Sequence, residues 1–323
     1  KASYISFGSL LMGFPLFKWW HIGWGLIPYS KVGYNIEDRQ YYNNVEVNYI
    51  YEGYGGLNDF FIGQSFKISK NIALGFNSSF LFGTINRTKT VIFPDVNIMD
   101  YEAIEGLTIN KIKFKYGLQY YADINNDISG CLGLIFASKQ NLKGERSISA
   151  MTFSSIDNYY YSKDVVENEK SNSVDIIMPG EFGLGFTITK KGKWIYGADF
   201  NFQNWEEYRY GKQKDSLKNA YCIAIGGKII PNYNSNNYLK KVGYSYGIKY
   251  NKTYLHLKEK DINEYLMTAG IELPVRRYNG MINLNFEVGK KGTDRKILLM
   301  ENYIGFNICL SYSEIWFFRR KFD

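Results

Sequence analysis

Apolar and polar positions alternate through the last stretch of the chain, from residue 281 onward. Ile282, Leu284, Phe286 and Val288 are separated by Asn283, Asn285, Glu287 and Gly289. After a charged loop the pattern resumes, with Ile304, Phe306, Ile308, Leu310 and Tyr312 set against Gly305, Asn307, Cys309, Ser311 and Ser313. A period of two places every second side chain on the same face of a strand. One face is therefore apolar and the other small or polar. A soluble sandwich turns its apolar face inward; a transmembrane barrel turns it outward and lines its lumen with polar residues. The ending in Trp316, Phe317, Phe318, Arg319, Arg320 and Lys321 fits a strand leaving a bilayer. Strands of about ten residues are long enough to cross at a tilt.

The same pattern recurs upstream. A first strand is predicted over residues 3–14. In the second, Trp20, Ile22, Trp24 and Leu26 share one face, and Gly23 and Gly25 lie on the other. Pro28 then removes a ladder donor, so this strand is expected to bend or lose pairing near residues 25–28. Eleven further strands follow, the seventh over 174–189 with an irregularity at Pro179 and Gly180. Residues 29–56, 86–107 and 139–173 read as long polar loops, the first with an extended segment at 45–51. Connections alternate short and long, as in outer-membrane barrels. The visible count is thirteen, which is odd, whereas single-chain bacterial barrels have even counts. One strand before Lys1 is therefore expected, giving a single all-β transmembrane antiparallel barrel domain of about 14 strands over 1–323. No second sheet of opposite pattern is present to bury the aromatic stripes in a soluble sandwich or propeller.

Composition fits this reading. Mean hydropathy is -0.30, because alternation cancels the apolar signal over any window. The richest apolar run, residues 7–27, is interrupted by Pro15 and Lys18 and reads as two strands and a turn. Net charge is +8, yet Lys190, Lys191, Lys193, Lys240, Lys241, Arg276 and Arg277 fall in turns. That suits a membrane interface and argues against nucleic-acid binding. Cys131, Cys222 and Cys309 sit alone in separate strands, with neither disulfide nor zinc spacing. His21 and His256 are the two histidines, and no nucleophile is selected beside either. No enzyme, metal or cofactor is expected.

The alternation points Lys111, Lys113, Lys115, Asp199, Lys249, Glu272 and Glu287 into the lumen. Two readings stand. These groups bind a ligand head group, or they form a cross-braced network of opposite charges, with Asp199 or Glu287 available to the lysines.

Local wording adds a family. The runs Met12-Gly-Phe-Pro-Leu-Phe-Lys-Trp-Trp20 and Gly25-Leu-Ile-Pro-Tyr-Ser-Lys-Val-Gly-Tyr34 resemble the FadL-like outer-membrane proteins of Bacteroidota-type bacteria. So do Glu52-Gly-Tyr-Gly-Gly-Leu-Asn58, Phe80-Leu-Phe-Gly-Thr-Ile-Asn-Arg87 and Val91-Ile-Phe-Pro94. The wording covers the first hundred residues; beyond them the resemblance rests on strand count and the aromatic–basic ending. It implies a fourteen-stranded barrel in the outer membrane of a Gram-negative bacterium, in contact with membrane lipids and lipopolysaccharide. An N-terminal hatch, expected before Lys1, would plug it. It also implies passive uptake of hydrophobic or amphipathic, fatty-acid-like compounds, released sideways beside a kinked strand, here at Gly23, Gly25 and Pro28. The alternative implied is a non-transporting accessory barrel of an outer-membrane secretion or assembly complex. Such a subunit would meet its protein partner through the tyrosine-rich stretches 29–56 and 139–173.

Overall fold

The computed structural model describes residues 7–42, 45–95, 97–156, 159–257, 259–275, 280–292 and 300–313. The strands are β1 (Leu10–Pro15), β2 (Trp20–Tyr42), β3 (Val45–Lys67), β4 (Ile72–Ile92), β5 (Asp100–Asp123) and β6 (Ile128–Ala137). Next come β7 (Gln140–Ile156), β8 (Tyr159–Met178), β9 (Glu181–Lys190), β10 (Trp194–Gln203), β11 (Arg209–Tyr210) and β12 (Gln213–Lys214). The last are β13 (Ala220–Ile229), β14 (Gly243–Leu257), β15 (Lys260–Val275), β16 (Gly280–Lys291) and β17 (Glu301–Tyr312).

Thirteen of them pair antiparallel in the order β1-β2-β3-β4-β5-β6-β9-β10-β13-β14-β15-β16-β17. This is the transmembrane antiparallel barrel that the alternation predicts. Register makes the two faces explicit. Ile225, Ile248, Met267, Val288 and Ile304 stand opposite one another on five successive strands. They are 46% to 73% exposed, an apolar row facing away from the protein, as a lipid-facing belt requires. The inner face is small: Gly13, Gly23 and Gly63 align, as do Gly75 with Gly117, Gly133 with Gly185, and Gly197 with Gly226 and Gly247. At the β1–β2 turn Phe17, Trp19, Trp20 and Phe66 stack with ring centroids 5.8 to 6.2 Å apart. Amphipathic rings favour such an interfacial position. The predicted ending at 316–321 and the pair Arg276 and Arg277 lie outside the described residues.

The predicted long loops are mostly strand, which corrects the sequence reading. The β2–β3 ladder runs on to Tyr42 opposite Val45, and β4–β5 to Val91 opposite Tyr101. Residues 139–173 are largely the β7–β8 hairpin. Above the barrel β5 changes partner: residues from Tyr116 to Asp123 pair with β6, and those from Asp100 to Ile109 pair with β7. The result is a six-stranded wall, β2-β3-β4-β5-β7-β8, standing above one side of the barrel. At about 3.3 Å per residue, the 23 residues of β2 or β3 span about 75 Å, against about 33 Å for the ten of β9, β10 or β13. Tyrosines and β-branched residues suit these extensions. Water on the outer face removes the one-sided apolar signal.

Two glycines set the twist of this wall. Gly55 and Gly83 have φ of 105° and 143°, and a Cβ on either would collide with backbone oxygen, of Thr84 and Gly56 respectively. Backbone cannot yield as a side-chain tip does. Gly83→Ala should therefore lower stability by about 1–3 kcal/mol, read as an earlier midpoint in urea unfolding of the folded barrel. An unchanged midpoint would show that the ladder relaxes freely there.

The inner side of the wall carries the tightest packing. Leu57, Leu81, Ile109, Leu142 and Ile176, from β3, β4, β5, β7 and β8, are at most 6% exposed and form one cluster. Tyr208 and Tyr210 pack on it from the β10–β13 connection. That connection is held at two ends: β11 pairs with β8, and Trp205 stacks on Tyr254 of β14 at 4.2 Å. Burial pushes the phenols of Tyr208 and Tyr210 above their ordinary range, helped by Asp215 and Glu105 respectively. Both rings are half-buried over the cluster.

Candidate functional site

The site follows from an irregularity in β2. The β2–β3 register shifts between Pro28 and Ser30, leaving Tyr29 as an extra residue in the ladder. A bulge of this kind bends its strand and re-aims a side chain. Proline, without an N–H, sits at its lip. Below the bulge β2 is paired on both edges. Beyond Leu26, among the described residues, it has no strand partner on its β1 side.

Behind the bulge lies a cavity of about 370 Å³. Leu11, Ile27, Phe61, Leu81, Leu142 and Met178 give it apolar walls. The Lys113 ammonium lies 2.5 Å from Asp59 Oδ2 and 4.2 Å from the centre of the Tyr29 ring. A cation over an aromatic face is held by the ring's quadrupole. Asp59 is 4% exposed, and among the described residues its Oδ1 has no hydrogen-bond partner. A second pair closes the floor: Lys115 Nζ donates to Glu181 at 2.8 and 3.0 Å, and Asn201 Nδ2 donates to Glu181 at 3.1 Å. Glu181 faces Ala137 on β6. That small residue lets the chains of Lys115 and Glu181 meet.

The structure brings some of the anticipated residues together. Lys113 and Lys115 share this cavity. Gly25 lies beside it, where a Cβ would meet Leu11 at 2.5 Å and Phe61 at 2.8 Å, so its bareness lets those two side chains close over the wall. Pro28 shapes the bulge. Gly23 lies lower, on a separate lumen cavity of about 400 Å³. Asp199, Lys249, Glu272 and Glu287 line different parts of the lumen, and Lys111, opposite Leu81 on β4, is exposed. Asp199 occupies the space that a side chain on Gly185 would need, and Glu287 does the same at Gly305. Lys249 pairs with Glu264 at 3.7 Å and Glu272 with Lys228 at 3.0 Å. The lysines thus pair with Asp59, Glu181 and Glu264 rather than with Asp199 or Glu287. Tyr29, Asp59, Glu181 and Leu11 were not anticipated. A lone acid at an inward position, as Asp59 is between Phe61 and Leu57, was the available signal. Among the described residues no group of three His, Cys, Asp or Glu is placed to hold a metal.

A family model described as BamG matches residues 1–323. The chain belongs to the BamG family. No curated protein sequence matches it. Solved structures similar to this BamG-family chain include a hydrocarbon channel, a toluene transporter and a FadL homologue. The CymD monoaromatic hydrocarbon channel superposes with a TM-score of 0.59 at 10% identity, over 95% of this chain and 82% of that one. The Pseudomonas putida toluene transporter TodX gives 0.57 at 14%, over 94% and 81%. A Pseudomonas aeruginosa FadL homologue gives 0.51 at 11%, over 88% and 69%. At such identities the likeness is one of fold: the BamG-family barrel has the architecture of the FadL-type channels.

Proposed function

We propose that this BamG-family chain is an accessory barrel of an outer-membrane secretion or assembly complex in a Gram-negative bacterium, and that it is not an enzyme. The observation that carries this reading is the covered inner side of the wall above the barrel. Leu57, Leu81, Ile109, Leu142 and Ile176 pack together under the Tyr208 and Tyr210 cap, where a free-standing importer needs an entry. The tall wall beside it offers a partner either face, with Tyr34, Ile36 and Tyr42 exposed on one and Tyr41 and Tyr54 on the other. Tyrosine is enriched at protein interfaces. Gentle solubilisation and native mass spectrometry test the proposal. The expected result is a protein partner in stoichiometric amount; a lone barrel at every detergent concentration would overturn it.

A second reading, passive uptake of hydrophobic or amphipathic compounds with lateral release, is favoured by one feature. The cavity touches Leu11 and Ile27 where β1 and β2 part, and the barrel shares its fold with toluene and hydrocarbon channels. Uptake of a labelled hydrophobic compound by cells with and without the protein decides it. Equal uptake removes this reading.

A further inference from the structure

The cavity behind β2 has a chemical bias that neither reading uses. Both of its lysines are already engaged, Lys113 by Asp59 at 2.5 Å and Lys115 by Glu181 at 2.8 Å. An anionic ligand would have to draw a lysine from its partner, leaving a carboxylate in an apolar setting without its counter-ion. The unmet demand is of the opposite kind. Asp59, 4% exposed, keeps Oδ1 without a donor, and a buried acceptor gains most from a new hydrogen bond. The nearby walls, Leu11, Ile27, Phe61, Leu81 and Met178, suit a hydrocarbon body.

We infer that this cavity is a binding site for a single-chain amphiphile whose head group donates a hydrogen bond, a hydroxyl or an amine, and that it discriminates against carboxylates. The donor reaches Asp59 Oδ1 once the side chain turns it toward the cavity, and the chain lies against Leu11, Phe61 and Ile27. Tyr29 holds Lys113 away from the ligand by keeping the ammonium over its ring, 4.2 Å from the centre. The fatty-acid-like ligand that the family resemblance implies is thus the wrong sign for this site. The inference concerns residence of a ligand, not its passage, and does not rest on the scaffold role.

Binding of 1-decanol, decylamine and decanoate, three chains of equal length, to the intact protein in lipid nanodiscs tests it by native mass spectrometry. Wild type should hold the alcohol and the amine at least about tenfold more tightly than the acid. Asp59→Asn keeps the shape, removes the orphan carboxylate and frees Lys113, so the order should reverse in favour of decanoate. Decanoate bound by wild type as well as the alcohol, no retention of any of the three, or an order unmoved by Asp59→Asn would each overturn the inference. The wild-type ranking stands as a test even where the variant folds poorly.

Discussion

Lys113→Met should lower the unfolding free energy of the barrel by about 3–5 kcal/mol, because it strands a charge rather than deleting a contact. Asp59 is 4% exposed, and among the described residues its one ion-pair contact is to Lys113. Without that partner its charge is stranded in a poorly hydrated place, which is costly. Urea unfolding of the protein folded into lipid vesicles measures the loss. Removing both charges, by Asp59→Leu with Lys113→Met, should recover most of it, since desolvation then no longer opposes folding. A loss below about 1 kcal/mol for the single variant would place the pair with solvated surface bridges. The recovery in the double variant separates charge stranding from loss of the packing of the lysine stem under Tyr29.

Leu81→Ala is expected to cost about 2–5 kcal/mol. Leu81 is 0% exposed at the centre of the cluster under Tyr208 and Tyr210. Its neighbours come from four other strands, so they cannot collapse together into the space without breaking ladders. The same experiment carries a functional readout. If this cluster seals the upper barrel, Leu81→Ala combined with Leu142→Ala should raise the single-channel conductance in planar bilayers well above wild type. A wild-type barrel that already conducts freely would show that the cluster is wall and not seal.

What the sequence made legible follows from which physical signals are local. Alternation in residues 282–288 and 304–312 specifies a strand with one lipid-facing side. The paired strands β16 and β17 present Phe286 opposite Phe306 and Val288 opposite Ile304 on that side. The wall was illegible by the same rule, because a strand outside the membrane loses the contrast between its faces. Thus the adjacent Tyr41 and Tyr42 on β2, which point to opposite faces, are both exposed with no lipid to sort them. Tyr29 was missed for a different reason: it continues the inward set of Gly23, Gly25 and Ile27, but the polar, tyrosine-rich stretch that begins there reads as a loop, so the strand was ended one residue too soon. Gly25 and Pro28 were visible as chain-breaking residues, and the structure gives them distinct tasks, one making room for Leu11 and Phe61 and the other forming the lip of the bulge. Partners were the hardest part. Alternation says that Lys113 and Lys115 face inward, but it does not say which strands stand level with them. Lys113 lies opposite Ser79, which lies opposite Phe61, and the lysine reaches past that row to Asp59. Only the stagger between strands supplies that neighbour.

The difference in height between β2 or β3 and β9 or β10 gives this barrel something most cylinders lack, a front and a back. A barrel of even height looks the same from every side of the membrane plane. Here drag, crowding and collision outside the bilayer all act off the barrel axis, so the molecule has a heading. A neighbour that grips the tall side fixes the rotation of the whole barrel with one contact. The bulge in β2, on the same side, is then carried to a set position relative to that neighbour rather than left to wander round the circumference.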